Sequence, residues 1–137
     1  MAAALPTSSG PPEPGHLQAD GDSLQAMEST VLATARSHIE TEPVAGSAVV
    51  SGSPRTGVME LASAGVECGL WEHSTGVSTD VEVEEVFVVL SGRARIEIHG
   101  QEPLEVGPGD VVRLAAGART TWHVYEHLRK FWVIPTD

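Results

Sequence analysis

One lysine and one cysteine occur among the 137 residues, Lys130 and Cys68. Basic residues number 8 against 19 acidic ones, a formal net charge of −11. That balance excludes binding nucleic acid through its phosphates, which requires a cationic face; the acid surplus serves solubility. A single cysteine excludes an intramolecular disulfide framework and fits a reducing compartment. Cys68 lies in an apolar run, Val66 to Trp71, which marks a buried thiol and not a nucleophile. No stretch approaches the ~20 apolar residues of a membrane span. The opening, Met1 to Pro6, has neither the basic start nor the long apolar centre of a signal peptide. The expected location is therefore the cytoplasm, with no membrane partner. Nucleophilic triads, phosphate loops and redox pairs are likewise missing.

What is present divides the chain in three. Residues 1–22 are rich in Pro, Gly, Ser and Ala without apolar periodicity, which predicts a disordered tail. Over 23–42, Leu24, Met27, Val31, Ala35 and Ile39 recur at steps of three and four. This spacing predicts a marginal helix or linker, capped by Asp22 or Ser23 and ended by Pro43. Met27 would be a natural start for a compact domain. Residues 43–137 have β texture throughout. Val49-Val50, Val58–Ala62, Val66–Trp71, Val86–Leu90, Ala94–Ile98, Val111–Leu114, Thr120–Tyr125 and Phe131–Ile134 are short apolar or alternating runs. Glycines and prolines separate them, as in Gly107-Pro108-Gly109. The pattern predicts an all-β sandwich or barrel and excludes alternating strands and helices.

Two stretches narrow the fold further. Glu85-Val-Phe-Val-Val-Leu-Ser-Gly92 sets an acid seven residues ahead of a turn glycine, and Gly107-Pro-Gly-Asp110-Val-Val-Arg-Leu-Ala-Ala-Gly117 sets a strand between two glycine turns. Together they resemble the two motifs of the cupin superfamily, which implies an all-β, single-domain jelly-roll β-barrel. With Gly69-Leu-Trp71-Glu72, Gly117-Ala-Arg119-Thr-Thr-Trp122 and Arg129-Lys130 in order, the chain is similar to the small stand-alone cupins related to the cupin domain of (S)-ureidoglycine aminohydrolase.

The resemblance also implies where a metal would be held: a His-x-His pair before the first-motif glutamate and another histidine after the last second-motif glycine, imidazoles that suit transition metals. Those positions fall on Ser78 and Asp80 (or Thr79 and Val81) and on Thr120. Only the carboxylate, Glu85, matches. No transition metal is expected; a hard divalent cation on Asp80 and Glu85 is the residual alternative.

Strand alternation sends Glu85, Phe87, Val89 and Trp122 into the lumen, and Glu84 and His123 away from it. A carboxyl group alone among apolar side chains suits general acid or base work, which makes Glu85 the candidate catalytic residue. The plainer reading pairs Glu85 with Arg119 or Arg95, and Arg129-Lys130 with Glu126. Trp122 and Trp71 are the candidate ligand-lining aromatics, with His73, Asp80 and Arg119 beside them. Of the histidines, His73 alone shares a face with Trp71. The expected function is small-molecule binding without a metal. The alternative is an enzyme on a small polar, nitrogen-containing metabolite, by analogy with the aminohydrolase. A homodimer is the expected protein partner.

Overall fold

The computed structural model describes residues 28–61 and 65–135. The tail expected over 1–22 lies outside the described residues. The strands are β1 (Glu42–Pro43), β2 (Val49–Ser51), β3 (Arg55–Leu61), β4 (Glu67–His73), β5 (Gly76–Val81), β6 (Glu85–Ile98), β7 (Leu104–Val106), β8 (Val111–Leu114) and β9 (Arg119–Ile134), with one 3-10 turn at Gly46–Ala48. Among the described residues no helix is long and apolar enough to cross a membrane.

All pairings are antiparallel, and two long strands organise them. The first half of β6 pairs with β8 and with the second half of β9, which continues to β4, β3 and β1. The second half of β6 pairs with β7 and the first half of β9, which continues to β5 and β2. The sheet thus folds over along β6 and β9 into the curled jelly-roll expected from the sequence. Runs read as separate strands, Val86–Leu90 with Ala94–Ile98 and Thr120–Tyr125 with Phe131–Ile134, are each one strand bent at a corner.

Gly92 makes that corner, where the β6–β9 register is irregular. Its φ is +91°, and a Cβ there would lie 2.1 Å from the carbonyl oxygen of His127. Glycine alone fits such a backbone at so close an approach. Alternation along the strands then fills the interior with Trp71, Phe87, Val89, Ile96, Trp122, Val124, Leu128 and Trp132, all buried. Glu84 points out to Arg113, and His123 to Glu97.

Of the marginal helix or linker expected over 23–42, the described part, residues 28–42, forms no helix. Hydroxyl side chains compete for the backbone there: the amide of Thr34 donates to Ser37 Oγ (2.9 Å), and that of Arg36 to Thr34 Oγ1 (3.1 Å). The segment is instead tied to the barrel. Arg129 Nη1 donates to the carbonyls of Ala35 (2.9 Å) and Ser37 (2.5 Å). Ile39 is buried against β3, where a Cβ on Gly57 would meet Glu40 O at 2.1 Å and Ile39 Cγ2 at 2.9 Å. Ile39→Ala should therefore cost about 2–3 kcal/mol in urea unfolding, whereas exposed Val31→Ala should change stability by less than about 0.5 kcal/mol.

Candidate functional site

Opposed residues of antiparallel strands share a face, so the register shows which side chains meet inside. Trp71 of β4, Lys130 of β9 and Val89 of β6 stand in one row. Ser78 of β5, Trp122 and Ile96 form a second, and Asp80, Thr120 and Ile98 a third. The first row puts an ammonium group in the apolar centre. Lys130 Nζ lies 2.5 Å from Glu85 Oε2, and both side chains have 0% exposure. Three rings surround the nitrogen, with centroids at 4.2 Å (Phe87), 4.6 Å (Trp71) and 5.0 Å (Trp122). Each presents a negative π face to the cation. The remaining oxygen, Glu85 Oε1, is buried without a hydrogen-bond partner.

A second polar knot holds Trp122. Its Nε1 donates to Glu82 Oε2 (2.9 Å), which also accepts from the Thr120 hydroxyl (2.7 Å). A third fixes His73. The Ser74 carbonyl oxygen, 2.6 Å away, can only accept, so Nδ1 carries the proton and Nε2 accepts from Ser78 Oγ at 2.8 Å. Burial pushes the His73 imidazole below its ordinary value, favouring the neutral tautomer that these bonds require. Burial, with the charge of Glu82 nearby, pushes the Asp80 carboxyl up.

Above Trp71 and Trp122 opens a cavity of about 620 Å³. His73, Ser78, Thr79 and Asp80 form one wall; Glu40 and Glu42 to Ala45 close the other, with Thr56 to Val58 between. A second, more open hollow of about 530 Å³ holds Arg119 with Glu97 and His99. The structure thus gathers Trp71, His73, Asp80 and Trp122 round one cavity. Arg119 lies in the other hollow, which Asp80 also borders, and Glu85 lies on neither wall.

The partners expected for the charged residues are corrected. Glu85 pairs with Lys130, not with Arg119 or Arg95, and Arg95 lies near Glu97 and Glu105 at the surface. Arg129 pairs with Glu72 (2.6 Å), not Glu126. In β9 alternation sends Lys130 inward between Leu128 and Trp132, and Arg129 outward. Lys130 and Glu82 are the polar interior residues that sequence reasoning missed. Cys68 is buried, as expected.

A family model for the EutQ-like cupin domain matches residues 60–132, more than half of the chain. The chain is a cupin. Its fold is similar to that of a DUF861-family protein of unknown function from Pseudomonas syringae pv. tomato, with TM-score 0.62 and 20% identity over 74% of this chain. That match covers 46% of the other protein, so this cupin spans less than half its length. The EutQ protein of Clostridium difficile is similar at TM-score 0.54 and 18% identity, over 70% of this chain and 82% of that one. Ectoine synthase from P. lautus is similar at 0.52 and 18%, over 57% and 62%. These likenesses show a shared fold. No curated protein matches the chain.

Many cupins hold a metal, but the residues here do not fit one. Among the described residues no three His, Cys, Asp or Glu side chains gather closely enough to bind an ion. Glu85 is engaged by an ammonium, Ser78 by His73, and Thr120 by Glu82.

His73 gives this cupin a pH signature. The folded imidazole lies below its unfolded value of about 6.5, so as pH falls through that value the unfolded chain takes up a proton that the folded one refuses. Stability contributed by neutral His73 is full above that pH and is lost below it. His73→Gln should flatten the decline in urea-unfolding free energy between about pH 7 and pH 5; an unchanged slope would contradict the assignment.

Proposed function

We propose that this cupin binds a small polar molecule bearing amine or amide N–H groups in the cavity above Trp71 and Trp122, without a metal cofactor. The observation that carries the reading is the wall of that cavity: its charged side chains are the carboxylates of Glu40, Glu42 and Asp80, with no lysine or arginine among them. Indole rings on the floor favour a cation or flat N–H donor over an anion. Trp71 supports a ligand that also carries an acceptor, because its Nε1–H is buried without a partner. The resemblance to the ureidoglycine aminohydrolase cupin points to the same nitrogen-rich chemistry. An enzyme using Glu85 as acid or base is less favoured, since that carboxylate has no exposed surface and is tied to Lys130.

Tryptophan fluorescence or NMR shift mapping can test this with matched probes, methylguanidinium and propylammonium against propionate. The cations should bind at millimolar concentration and shift Trp71, Trp122 and Ser78. Trp122→Phe and Asp80→Asn should each weaken them about fivefold, or roughly 1 kcal/mol. Equal binding of propionate, or unchanged affinity in both variants, would refute the reading.

A further inference from the structure

The missing imidazoles would by themselves explain a barrel that takes no transition metal, yet the interior holds a second obstacle. Glu85 occupies the place of the first-motif carboxylate, and its Oε2 is already bonded to a cation. An ion on that oxygen, at about 2.0–2.2 Å, would stand beside an ammonium only 2.5 Å from it. An ion on Oε1, the oxygen without a partner, would face the same positive charge across one carboxylate group. Either way two cations would repel each other in an interior of low dielectric. The competitor is also the one lysine in the chain, wholly buried, set in the second half of β9 and enclosed by Trp71, Phe87 and Trp122. A surface lysine could swing aside for an ion. This one would have to carry its charge out through packed aromatic rings.

We propose that the Lys130 ammonium is the resident cation of this barrel. It is supplied by the chain itself in place of a metal, and it closes Glu85 to divalent ions whatever the other ligand positions carry. The positive charge is then covalently fixed, so chelators cannot remove it. The rings that cage it are the floor of the ligand cavity: Trp71 and Trp122 contact the ammonium and also line that cavity. Lys130 is therefore a positioning residue for both indoles.

The inference separates from the simple loss of histidines in a metal-loading experiment. Three proteins are compared: wild type; the variant combining Ser78→His, Asp80→His and Thr120→His; and that variant with Lys130→Met added. Each is incubated with Mn²⁺, Ni²⁺ or Zn²⁺, desalted, and analysed for metal. Wild type and the three-histidine variant should stay substoichiometric. The variant with Lys130→Met should approach one ion per chain and lose it on Glu85→Gln. Stoichiometric metal in the three-histidine variant with Lys130 in place would overturn the proposal, as would an empty but folded Lys130→Met variant.

If those variants do not fold, the wild-type protein decides. Reductive methylation, followed at the peptide containing Lys130, should leave this amine unmodified in the folded protein with or without millimolar Zn²⁺ or Ni²⁺, and modify it fully in denaturant. A divalent ion that made Lys130 reactive in the folded protein would show that metal displaces the ammonium, against the proposal.

Discussion

An ammonium and a carboxylate meet in the middle of an otherwise apolar barrel, and the arrangement of the interior follows from the need to satisfy them. Removing either ion from water costs several kcal/mol, repaid only with good geometry and additional favourable contacts. Lys130 has both: Glu85 Oε2 at 2.5 Å and three aromatic rings within 5.0 Å. The rings are not free to take other rotamers without exposing the charge to poorer surroundings. Trp122 is fixed a second time by its bond to Glu82. One ion pair thus orders a cluster of large side chains that hydrophobic packing alone would specify less uniquely.

The consequence for function is a layered site. Glu85 lies at the bottom with Lys130 beside it, the indoles of Trp71 and Trp122 separate the pair from the cavity, and the polar wall of His73, Ser78 and Asp80 rises beside them. The cavity presents aromatic faces and carboxylates and does not reach the buried charges. The segment ahead of the barrel completes this arrangement. Glu40 and Glu42 belong to the cavity wall, and Arg129, one residue before the buried lysine, pins that segment through Ala35 and Ser37 while pairing with Glu72. Neighbouring positions on β9 therefore serve opposite faces, one organising the interior and the other the covering segment.

Much of this was legible from period-two alternation and glycine spacing. Glu85, Phe87, Val89 and Trp122 face inward, and Glu84 and His123 outward, as the pattern requires. The same alternation put His73 on the face of Trp71, whereas Asp80 was singled out by its place ahead of Glu85 in the cupin motif. Lys130 was not, because an Arg-Lys pair reads as solvated surface. The signal was present in Leu128-x-Lys130-x-Trp132, which puts the lysine on the same face as two large apolar residues. Strand β5 escaped notice because its inward residues, Ser78 and Asp80, are polar and carry no apolar rhythm. Over 23–42, read as a marginal helix or linker, the described residues form no helix because Ser and Thr hydroxyls engage the backbone, and because Ile39 supplies a single anchor where a helical stripe needs several.

The central claim is that the Lys130–Glu85 pair acts as one unit on which the interior depends, and a double-mutant cycle tests it most directly. Lys130→Met, Glu85→Met and the double variant are unfolded in urea at neutral pH. Each single change strands a buried charge and should cost about 3–5 kcal/mol. The double change removes both charges at nearly constant volume and should cost far less than the sum, giving a coupling of at least about 2 kcal/mol. Additive losses would contradict the account, because they would mean that the two groups contribute independently and that the ion pair does not organise the barrel.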